Sequence, residues 1–227
     1  MSDVSTAPQA GRKRRGEGHT RREEILQAAK ELFVEQGYEQ TTMRRIADRV
    51  GISAPAVYLY FKDKEALMLA LCDQTFAHLI DAVSDLERTV ADPLERVKRF
   101  GEAYARFGLE HPDEYKLIFL GGNIPEPIRR TGHRAPTDDP AQPGVGGAVV
   151  FQKLVSFLLE VETSGVKLNY PADVCAELCW MGVHGLVAAL ILKPEFPWSD
   201  RDTLIRGMVD THVRGMLKGA RAGGSAG

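Results

Sequence analysis

A glycine between two short amphipathic segments constrains the fold of this chain more than any other feature. The segment runs from Thr41 to Lys64 and reads TTMRRIADRVGISAPAVYLYFKDK, with Thr41 and Thr42 as candidate caps of its first helix. Apolar residues before Gly51 follow helical spacing, and glycine readily adopts the left-handed conformation that ends a helix. Ser53 can cap a second helix with Pro55 in its first turn. The segment therefore predicts two helices joined by a sharp corner.

The outward-facing positions of the second helix favour contact with DNA. They are small or aromatic and include no acid: Ala54, Pro55, Ala56 and Tyr58. Small residues allow a close approach, and in a helix-turn-helix the second helix enters the major groove. Val57 and Tyr60 are predicted to turn inward. The predicted motif spans residues 42–61, and an ordinary helical hairpin without a DNA contact is the alternative.

The charge of the chain is unevenly distributed. The formal net charge is −2, but residues 12–64 contain 12 Lys/Arg against 8 Asp/Glu, which leaves 17 against 23 for the remainder. A basic portion on an acidic body suits a protein that presents one face to phosphates. The basic run near the N-terminus is either a solvated tail or an arm that follows the DNA backbone or enters the minor groove: Arg12, Lys13, Arg14 and Arg15.

The same residues resemble the N-terminal domain of TetR-family transcriptional repressors. The resemblance covers roughly Arg21 to Leu71 and includes the run ILQAAKELFVEQGYEQTTMRRIADRVGISAPAVYLYFKDKEAL. Its motifs are A-x-x-L-F, G-Y, T-T, I-A, G-I-S and Y-x-Y-F-K-x-K. The resemblance implies a ligand-responsive regulator, usually a repressor, that binds a pseudopalindromic double-stranded DNA operator as a homodimer.

The resemblance also implies which side chains contact DNA. Several residues match family positions that hold phosphates: Thr42, Ser53, Tyr58, Tyr60 and Lys64. Lys64 would combine its charge with the backbone N–H at a helix N-terminus. Arg44 matches a position that can reach a base edge, and a phosphate contact or a solvated charge is the alternative.

Helical periodicity predicts an all-α fold, with a three-helix DNA-binding domain and a larger helical domain for ligand binding and dimerisation, about nine helices in all. We expect a disordered basic arm (1–18), the DNA-binding domain (19–79), the second domain (80–219) and a disordered tail (220–227). A capping box at Thr20 would start the first helix, Asp63 would cap a fourth that runs to Val90, and Ser199 with Asp202 would cap the last.

One long connection interrupts this helical pattern. Residues 121–147 contain six Gly and five Pro, and connections of this length are uncommon unless they are functional or disordered. Arg129, Arg130 and Arg134 lie within it. They are either solvated or part of a lid or ligand contact.

A second, weaker resemblance involves the C-terminal half. The W-x-x-x-H-G pattern at Trp180 and His184, with the earlier HPDEYKLIF, resembles a TetR subgroup with a Trp-His-Gly signature that is presumed to bind ligands. We expect a small hydrophobic or aromatic effector, lined by aromatic residues with His184 as a polar handle: Tyr104, Phe107, Tyr115, Phe119, Phe151, Trp180 and His184. A core histidine and plain apolar core are the alternatives.

Small residues on the same helix suggest a helix–helix contact. Gly182, Gly185 and Ala189 form a stripe that lets a partner helix approach closely. By resemblance, helices over 171–192 and 199–218 would pair with their mates in a four-helix bundle. Leu204, Met208 and His212 would belong to that dimer interface.

Other functions have weak support in the sequence. Cys175 and Cys179 are spaced i, i+4, but a zinc site needs more converging ligands, so we predict no metal and no cofactor. No nucleophile and base are spaced as a catalytic pair, so we predict no enzyme. No apolar run approaches the roughly 18–20 residues that span a bilayer, so a cytoplasmic protein without a membrane partner is expected. A constitutive architectural DNA binder and a helical enzyme or carrier that lost DNA binding remain as rivals.

Overall fold

The computed structural model describes residues 17–120 and 146–219, which are helical apart from short connections and one isolated antiparallel bridge between Leu168 and Leu217. The chain divides into two compact units, residues 1–64 and 65–227. The sequence-based boundary at 79–80 lies instead within the second unit. The all-α class, with a small N-terminal and a larger C-terminal helical part, is confirmed.

The first unit contains three helices: α1 (Glu17–Gln36), α2 (Met43–Val50) and α3 (Ala54–Tyr58). α2 packs against both α1 and α3. The side chains between them are fully or almost fully buried: Ile25, Ala29, Phe33, Ile46, Ala47 and Val57. The start of α1 was predicted wrongly, because the helix begins at Glu17 and Thr20 lies inside it.

The two threonines before α2 have different roles. The Thr42 side chain accepts a hydrogen bond from the Arg45 N–H at 3.2 Å, so Thr42 caps α2 as predicted. Thr41 is buried, and its hydroxyl lies 2.9 Å from the Gly37 carbonyl and 3.2 Å from the Leu32 carbonyl. Thr41 therefore closes the end of α1.

Gly51 makes the predicted corner. Its φ is +75°, in the left-handed region that glycine adopts without steric cost. Its N–H donates to Asp48 O at 3.2 Å, and the Ile52 N–H donates to Ala47 O at 3.0 Å, so carbonyls at the end of α2 are satisfied. α3 then starts after Ser53 with proline in its first turn. The Ser53 side chain makes no capping hydrogen bond, which corrects that part of the prediction.

The helices of the second unit are α4 (Lys64–Ser84), α5 (Leu86–Thr89), α6 (Pro93–Glu110), α7 (Pro112–Tyr115), α8 (Gly146–Thr163), α9 (Ala172–Leu192) and α10 (Arg201–Met216). Lys64, the first residue of α4, closes the first unit. A π-helical turn, Lys116–Leu120, continues α7. α9 packs against α6, α8 and α10.

Helix ends in this unit show what periodicity misses. The predicted helix to Val90 breaks at Asp85 into α4 and α5. Asp92 caps α6 as predicted, since its carboxylate accepts from the Leu94 N–H at 2.9 Å. The cap of α10 is Asp200, whose carboxylate accepts from the Thr203 N–H and hydroxyl, each at 2.9 Å. The prediction of Ser199 and Asp202 as caps is wrong by one or two positions.

Two helices are more apolar than the sequence reading allowed. Lys64–Thr89, which spans α4 and α5, and Ala172–Leu192 (α9) are long and apolar enough to cross a membrane by length and mean hydropathy, although neither is an uninterrupted apolar run. About 44% and 39% of the most apolar window of each is buried against the protein. Buried helices of water-soluble proteins share this composition, so the hydropathy is weak support for a membrane span.

Candidate nucleic-acid interface and effector site

The corner at Gly51 presents one side of α3 to solvent. Val57 is fully buried, whereas Pro55 is exposed and Tyr58 retains 53% of its accessible surface. Ala54 and Ala56 are half-buried. The structure therefore places the residues expected to face DNA on a surface without an acidic side chain, with tyrosine as its largest polar group.

The three arginines of α2 differ in their contacts. Arg45 donates to the Gln36 side chain at 2.5 Å and to the Gln40 carbonyl at 3.2 Å. Arg49 bonds to Glu31 at 3.0 Å and Glu35 at 2.7 Å, and this pairing holds the pKa of the Glu35 carboxyl below its usual value. Arg44 is exposed, and within the described part of the chain it has no ion pair or side-chain hydrogen bond. Of the three, Arg44 is the one available to a ligand.

The residues that match phosphate-binding positions are placed around this surface. Thr42 and Ser53 are exposed at the starts of α2 and α3, and Tyr60 is half-buried just after α3. The Lys64 ammonium donates to the Tyr38 carbonyl at 2.7 Å and lies 4.1 Å from the centre of the Tyr38 ring. Lys64 therefore also fastens the α1–α2 connection. The predicted basic arm, Arg12 to Arg15, lies outside the described residues.

Sequence reasoning missed Leu59, which follows Tyr58 directly. Leu59 retains 78% of its accessible surface, more than any other large hydrophobic side chain in the described ranges. Leu59 lies two residues after buried Val57, on the opposite side of a helical turn, and this spacing could have predicted its exposure from the sequence.

A chain of hydrogen bonds lies in the second unit between α6, α7 and α9. The Trp180 indole N–H donates to the Tyr104 hydroxyl at 3.2 Å, the Tyr104 and Tyr115 hydroxyls are 3.2 Å apart, and the Tyr115 hydroxyl is 2.5 Å from His184 Nδ1. Burial raises the pKa of Tyr104 to about 12 and raises that of Tyr115 further, so both keep their protons. The donors can therefore all point from Trp180 toward His184.

Burial favours the neutral form of the His184 imidazole, which ends this series of hydrogen bonds. Burial lowers the pKa of His184 from its ordinary value of 6.5. In the tautomer in which Nδ1 accepts from the Tyr115 hydroxyl, the neutral ring carries its proton on Nε2. His184 is only half-buried, so this second N–H is a donor that a bound molecule can use.

Aromatic rings surround the histidine. The His184 ring stacks on Trp180 with centroids 5.1 Å apart and on Tyr115 at 5.4 Å. The π-helical turn after α7 brings the Phe119 ring to 5.5 Å from His184. Such π-helical turns are frequent at functional sites. The structure thus joins five predicted lining residues into one group, the aromatic cluster: Tyr104, Tyr115, Phe119, Trp180 and His184.

The other two predicted lining residues lie apart from this hydrogen-bonded chain. Phe107 is buried on α6 and its ring packs on His111, with centroids 4.9 Å apart. Phe151 is half-buried on α8 and makes no described ring contact with the aromatic cluster. Phe76 of α4, which was not predicted, contacts Phe119 edge to face at 5.8 Å. It connects the cluster to α4.

A small cavity adjoins the cluster. Its volume is about 20 Å³, enough for one water molecule. Tyr104 and Trp180 line it together with side chains from α6, α8, α9 and α10: Val97, Phe100, Gly101, Leu154, Cys179, Val183, Val209, His212 and Val213. A molecule larger than water would need these helices to move apart.

The predicted dimer residues lie on α9 and α10. A Cβ at Gly182 would lie 2.2 Å from Nε2 of His212, so these two residues are in contact within one chain. A Cβ at Gly185 would meet nothing within 4 Å. Ala189, Leu204 and Met208 are half-buried. Three larger residues that were not predicted extend the exposed apolar surface of α9: Leu178, Met181 and Leu192.

The cysteines do not form a metal site in the described ranges. No group of three or more His, Cys, Asp or Glu side chains there could hold a metal ion. Cys72, Cys175 and Cys179 are unpaired thiols and are buried. Burial raises the pKa of Cys72 and of Cys179 to about 12, which disfavours the reactive thiolate.

A glycine-cornered helix pair with an exposed second helix, followed by a larger helical unit, defines a helix-turn-helix DNA-binding regulator. Two family profiles match this chain: "Bacterial regulatory proteins, tetR family" over residues 25–71, and "Tetracyclin repressor-like, C-terminal domain" over residues 97–212. The chain belongs to the TetR family of bacterial regulatory proteins.

Individual relatives agree with this assignment. The transcriptional activator FasR of Mycolicibacterium smegmatis is 36% identical over 138 residues, which cover 56% of this chain and 63% of FasR. The transcriptional repressor KstR2 of Mycobacterium tuberculosis is 35% identical over 105 residues, which cover 46% of this chain and 52% of KstR2. In both cases the match covers less than two thirds of the relative. Both relatives are named as transcriptional regulators.

Solved structures share the fold. The structure of NalD, the secondary repressor of the MexAB-OprM multidrug efflux pump in Pseudomonas aeruginosa, superposes with a TM-score of 0.68. The match covers 90% of this chain and all of NalD at 19% sequence identity. At this identity the similarity concerns the fold alone.

Proposed function

We propose that this protein is a ligand-responsive transcriptional repressor that binds a pseudopalindromic operator as a homodimer and leaves it when a small effector binds. The observation that carries the proposal is the exposed, acid-free side of α3, held by the left-handed corner at Gly51. In a helix-turn-helix this side lies in the major groove. Because such an activity requires access to DNA, we place the protein in the cytoplasm, without a membrane partner.

Arg44, Tyr58 and the starts of α2 and α3 would supply the contacts. Arg44 is long enough to reach a base edge, and a bidentate arginine–guanine pair is the commonest direct readout. Thr42, Ser53, Tyr60 and Lys64 would fix the register by binding phosphates. The basic residues 12–15 would add a contact that depends on salt and little on sequence.

The exposed apolar surface of α9 supports the dimer. Leu178, Met181, Gly185 and Leu192 are spaced by three, four and seven residues, which places them along one side of the helix. Together with Leu204 and Met208 of α10 they would form a four-helix bundle with a second copy. A two-fold dimer reads half-sites about 34–36 Å apart, one turn of DNA.

The aromatic cluster would receive the effector. Its walls are apolar rings, and in the tautomer in which Nδ1 accepts from Tyr115, the His184 Nε2–H is the donor left for a ligand. An effector with an aromatic or hydrophobic body and one acceptor oxygen fits this chemistry. This role agrees with a Trp-His-Gly subgroup whose signature would be Trp180, His184 and Gly185.

Release would be a population shift. The cavity that adjoins Tyr104 and Trp180, about 20 Å³, is too small for such an effector, so an effector that extends into it would favour a state in which α6, α9 and their neighbours are further apart. The contact of Phe119 with Phe76 would transmit this change to α4. An effector that binds both states equally would shift nothing.

Selection from random duplexes tests DNA binding by the full chain. We expect an enriched inverted repeat with half-sites one turn apart. Enrichment without an inverted repeat would favour the architectural rival, and no enrichment at all would favour the enzyme or carrier. FasR is named an activator and KstR2 a repressor, so relatives of this chain regulate in either direction. Expression of a reporter gene placed behind the selected duplex shows whether this protein represses or activates transcription.

Effector binding can be followed at Trp180. The only other tryptophan is Trp198, so a Trp198→Phe variant makes Trp180 the single indole reporter. Candidate aromatic and aliphatic acids and esters that occupy the cluster should change its fluorescence and release the labelled operator over the same concentration range. A compound that changes the fluorescence and leaves the complex intact would contradict the release step for that compound.

A further inference from the structure

Leu59 is unusual for its position. It is 78% exposed, and the aromatic ring of Tyr58 beside it is 53% exposed. Exposed aliphatic side chains that stand alone are common on protein surfaces and need no explanation. Leu59 shares its surface with Pro55 and Tyr58, so the three exposed residues on this face of the helix are non-acidic and largely apolar.

The backbone shows that these residues lie on one side of α3. Leu59 has φ −70° and ψ −21°, and the Phe61 N–H donates to the Val57 carbonyl at 3.1 Å, so the helical turn continues through Leu59. At about 100° per residue, positions 55, 58 and 59 fall on the same side and Val57 on the other. Full burial of Val57 agrees with this arrangement.

Duplex DNA is the occupant that fits this face. The chain from Thr41 to Lys62 contains four Lys/Arg and one acid, and Arg44 is exposed without an ion pair in the described ranges, so it is free to attract phosphates. The half-buried Ala54 and Ala56 leave room for a close approach. In the major groove, the apolar group that a base pair presents is the C5 methyl of thymine.

We infer that Leu59 reads a thymine methyl group in each half-site. The inference rests on the proposed DNA-binding function and adds the type of readout. Arg44 would select guanine by hydrogen bonds, while Leu59, next to Tyr58, would select thymine by apolar contact. Sequence recognition would then depend on a methyl group that carries no hydrogen bond.

Deoxyuridine scanning tests this contact. Each thymine of the selected operator is replaced by deoxyuridine in both half-sites, which removes the methyl group and keeps base pairing. For the wild-type protein we expect one symmetric pair of positions at which affinity falls by about tenfold or more, from roughly fourfold per methyl group. For the Leu59→Ala variant, the same replacement should lower the affinity for the operator by less than about twofold.

Two variants serve as controls. Leu59→Met keeps an apolar side chain and should retain the dependence on the methyl group. Val34→Ala truncates another exposed aliphatic residue of the first unit, 41% exposed on α1, and should leave the dependence unchanged. Circular dichroism of each variant establishes that it is folded.

The outcomes separate the contact from the function. If Leu59→Ala keeps the full wild-type penalty, or if no thymine is sensitive in the wild type, the contact is overturned while sequence-specific binding stands. If no duplex sequence is preferred at all, the proposed function fails and the contact fails with it.

Discussion

At the scale of single residues, α2 shows how similar side chains take different roles. Arg44, Arg45 and Arg49 are indistinguishable by charge, and the sequence singled out Arg44 only through the family resemblance. The structure distinguishes the three, since Arg45 and Arg49 bond to residues at the end of α1 and beyond it, whereas Arg44 is exposed. Such pairings join residues up to 18 positions apart and leave no local sequence pattern.

Arg44→Ala should weaken binding to the selected operator by about 5- to 150-fold, because a bidentate base contact is lost. Its melting temperature should remain that of the wild type, since Arg44 is exposed. Arg49→Ala removes the same charge and is the matched control. It should lower the melting temperature slightly and weaken binding much less. Fluorescence anisotropy and thermal melts at one salt concentration measure both, and equal losses of affinity would show that only total charge matters.

Histidine 184 gives a dependence of stability on pH. Its folded-state pKa is lowered by burial, so between that value and about 6.5 the unfolded chain binds more protons than the folded chain. The contribution of His184 to the free energy of unfolding is complete above the pKa that the residue has in the unfolded chain, and it decreases as the pH falls below about 6.5. His184→Gln keeps an acceptor for Tyr115 and does not titrate.

Melting temperatures from pH 8 to pH 5 test this dependence. The wild type should lose more stability than His184→Gln over the interval below pH 6.5, and the difference between the two is the contribution of this residue. Parallel curves for the two proteins would contradict a buried neutral imidazole at position 184.

At the scale of helices, the sequence predicted types and approximate positions well and ends less well. Gly51, Thr42 and Asp92 act as predicted because their roles are local to one turn. The break of α4 at Asp85 was missed because apolar residues continue across it at helical spacing. The cap of α10 was misplaced because Ser199, Asp200 and Asp202 are all residue types that can cap a helix. The hydrogen-bonded chain from Trp180 to His184 joins α6, α7 and α9, and sequence spacing alone placed only Trp180 beside His184.

Gly182 is the clearest case of a contact between helices. The Nδ1 of His212 lies 2.9 Å from the Met208 carbonyl, which fixes the ring directly against the Gly182 backbone. Gly182→Ala would force this ring to move, and we expect a loss of about 1–3 kcal/mol in the free energy of unfolding. Urea denaturation measures it.

Gly185→Ala is the matched control on the same helix. A Cβ there has open space, and alanine favours a helix by up to about 1 kcal/mol over glycine, so the isolated chain should not be destabilised. Combining Gly182→Ala with His212→Ala should recover part of the loss. If both glycine variants behave alike, the close contact with His212 does not limit packing in solution.

At the scale of the whole molecule, the chain divides into two compact units, residues 1–64 and 65–227, and the helix-turn-helix lies in the first. The fold class followed from helical periodicity, and the DNA-binding function followed from one glycine corner with its flanking residues. The identity of the proposed effector did not follow, because the adjoining cavity of about 20 Å³ is lined by only two residues of the aromatic cluster, Tyr104 and Trp180, and does not define the shape of a ligand.

The affinity ratio between two duplexes tests sequence-specific binding most directly. One duplex carries the selected inverted repeat, and the other has the same bases in scrambled order, with the full chain and the salt concentration held constant. We predict that the repeat binds on the order of 10³-fold more tightly or better, and that Tyr58→Ala, still folded, loses most of that preference. A ratio near one for the wild-type protein would contradict the helix-turn-helix assignment of function.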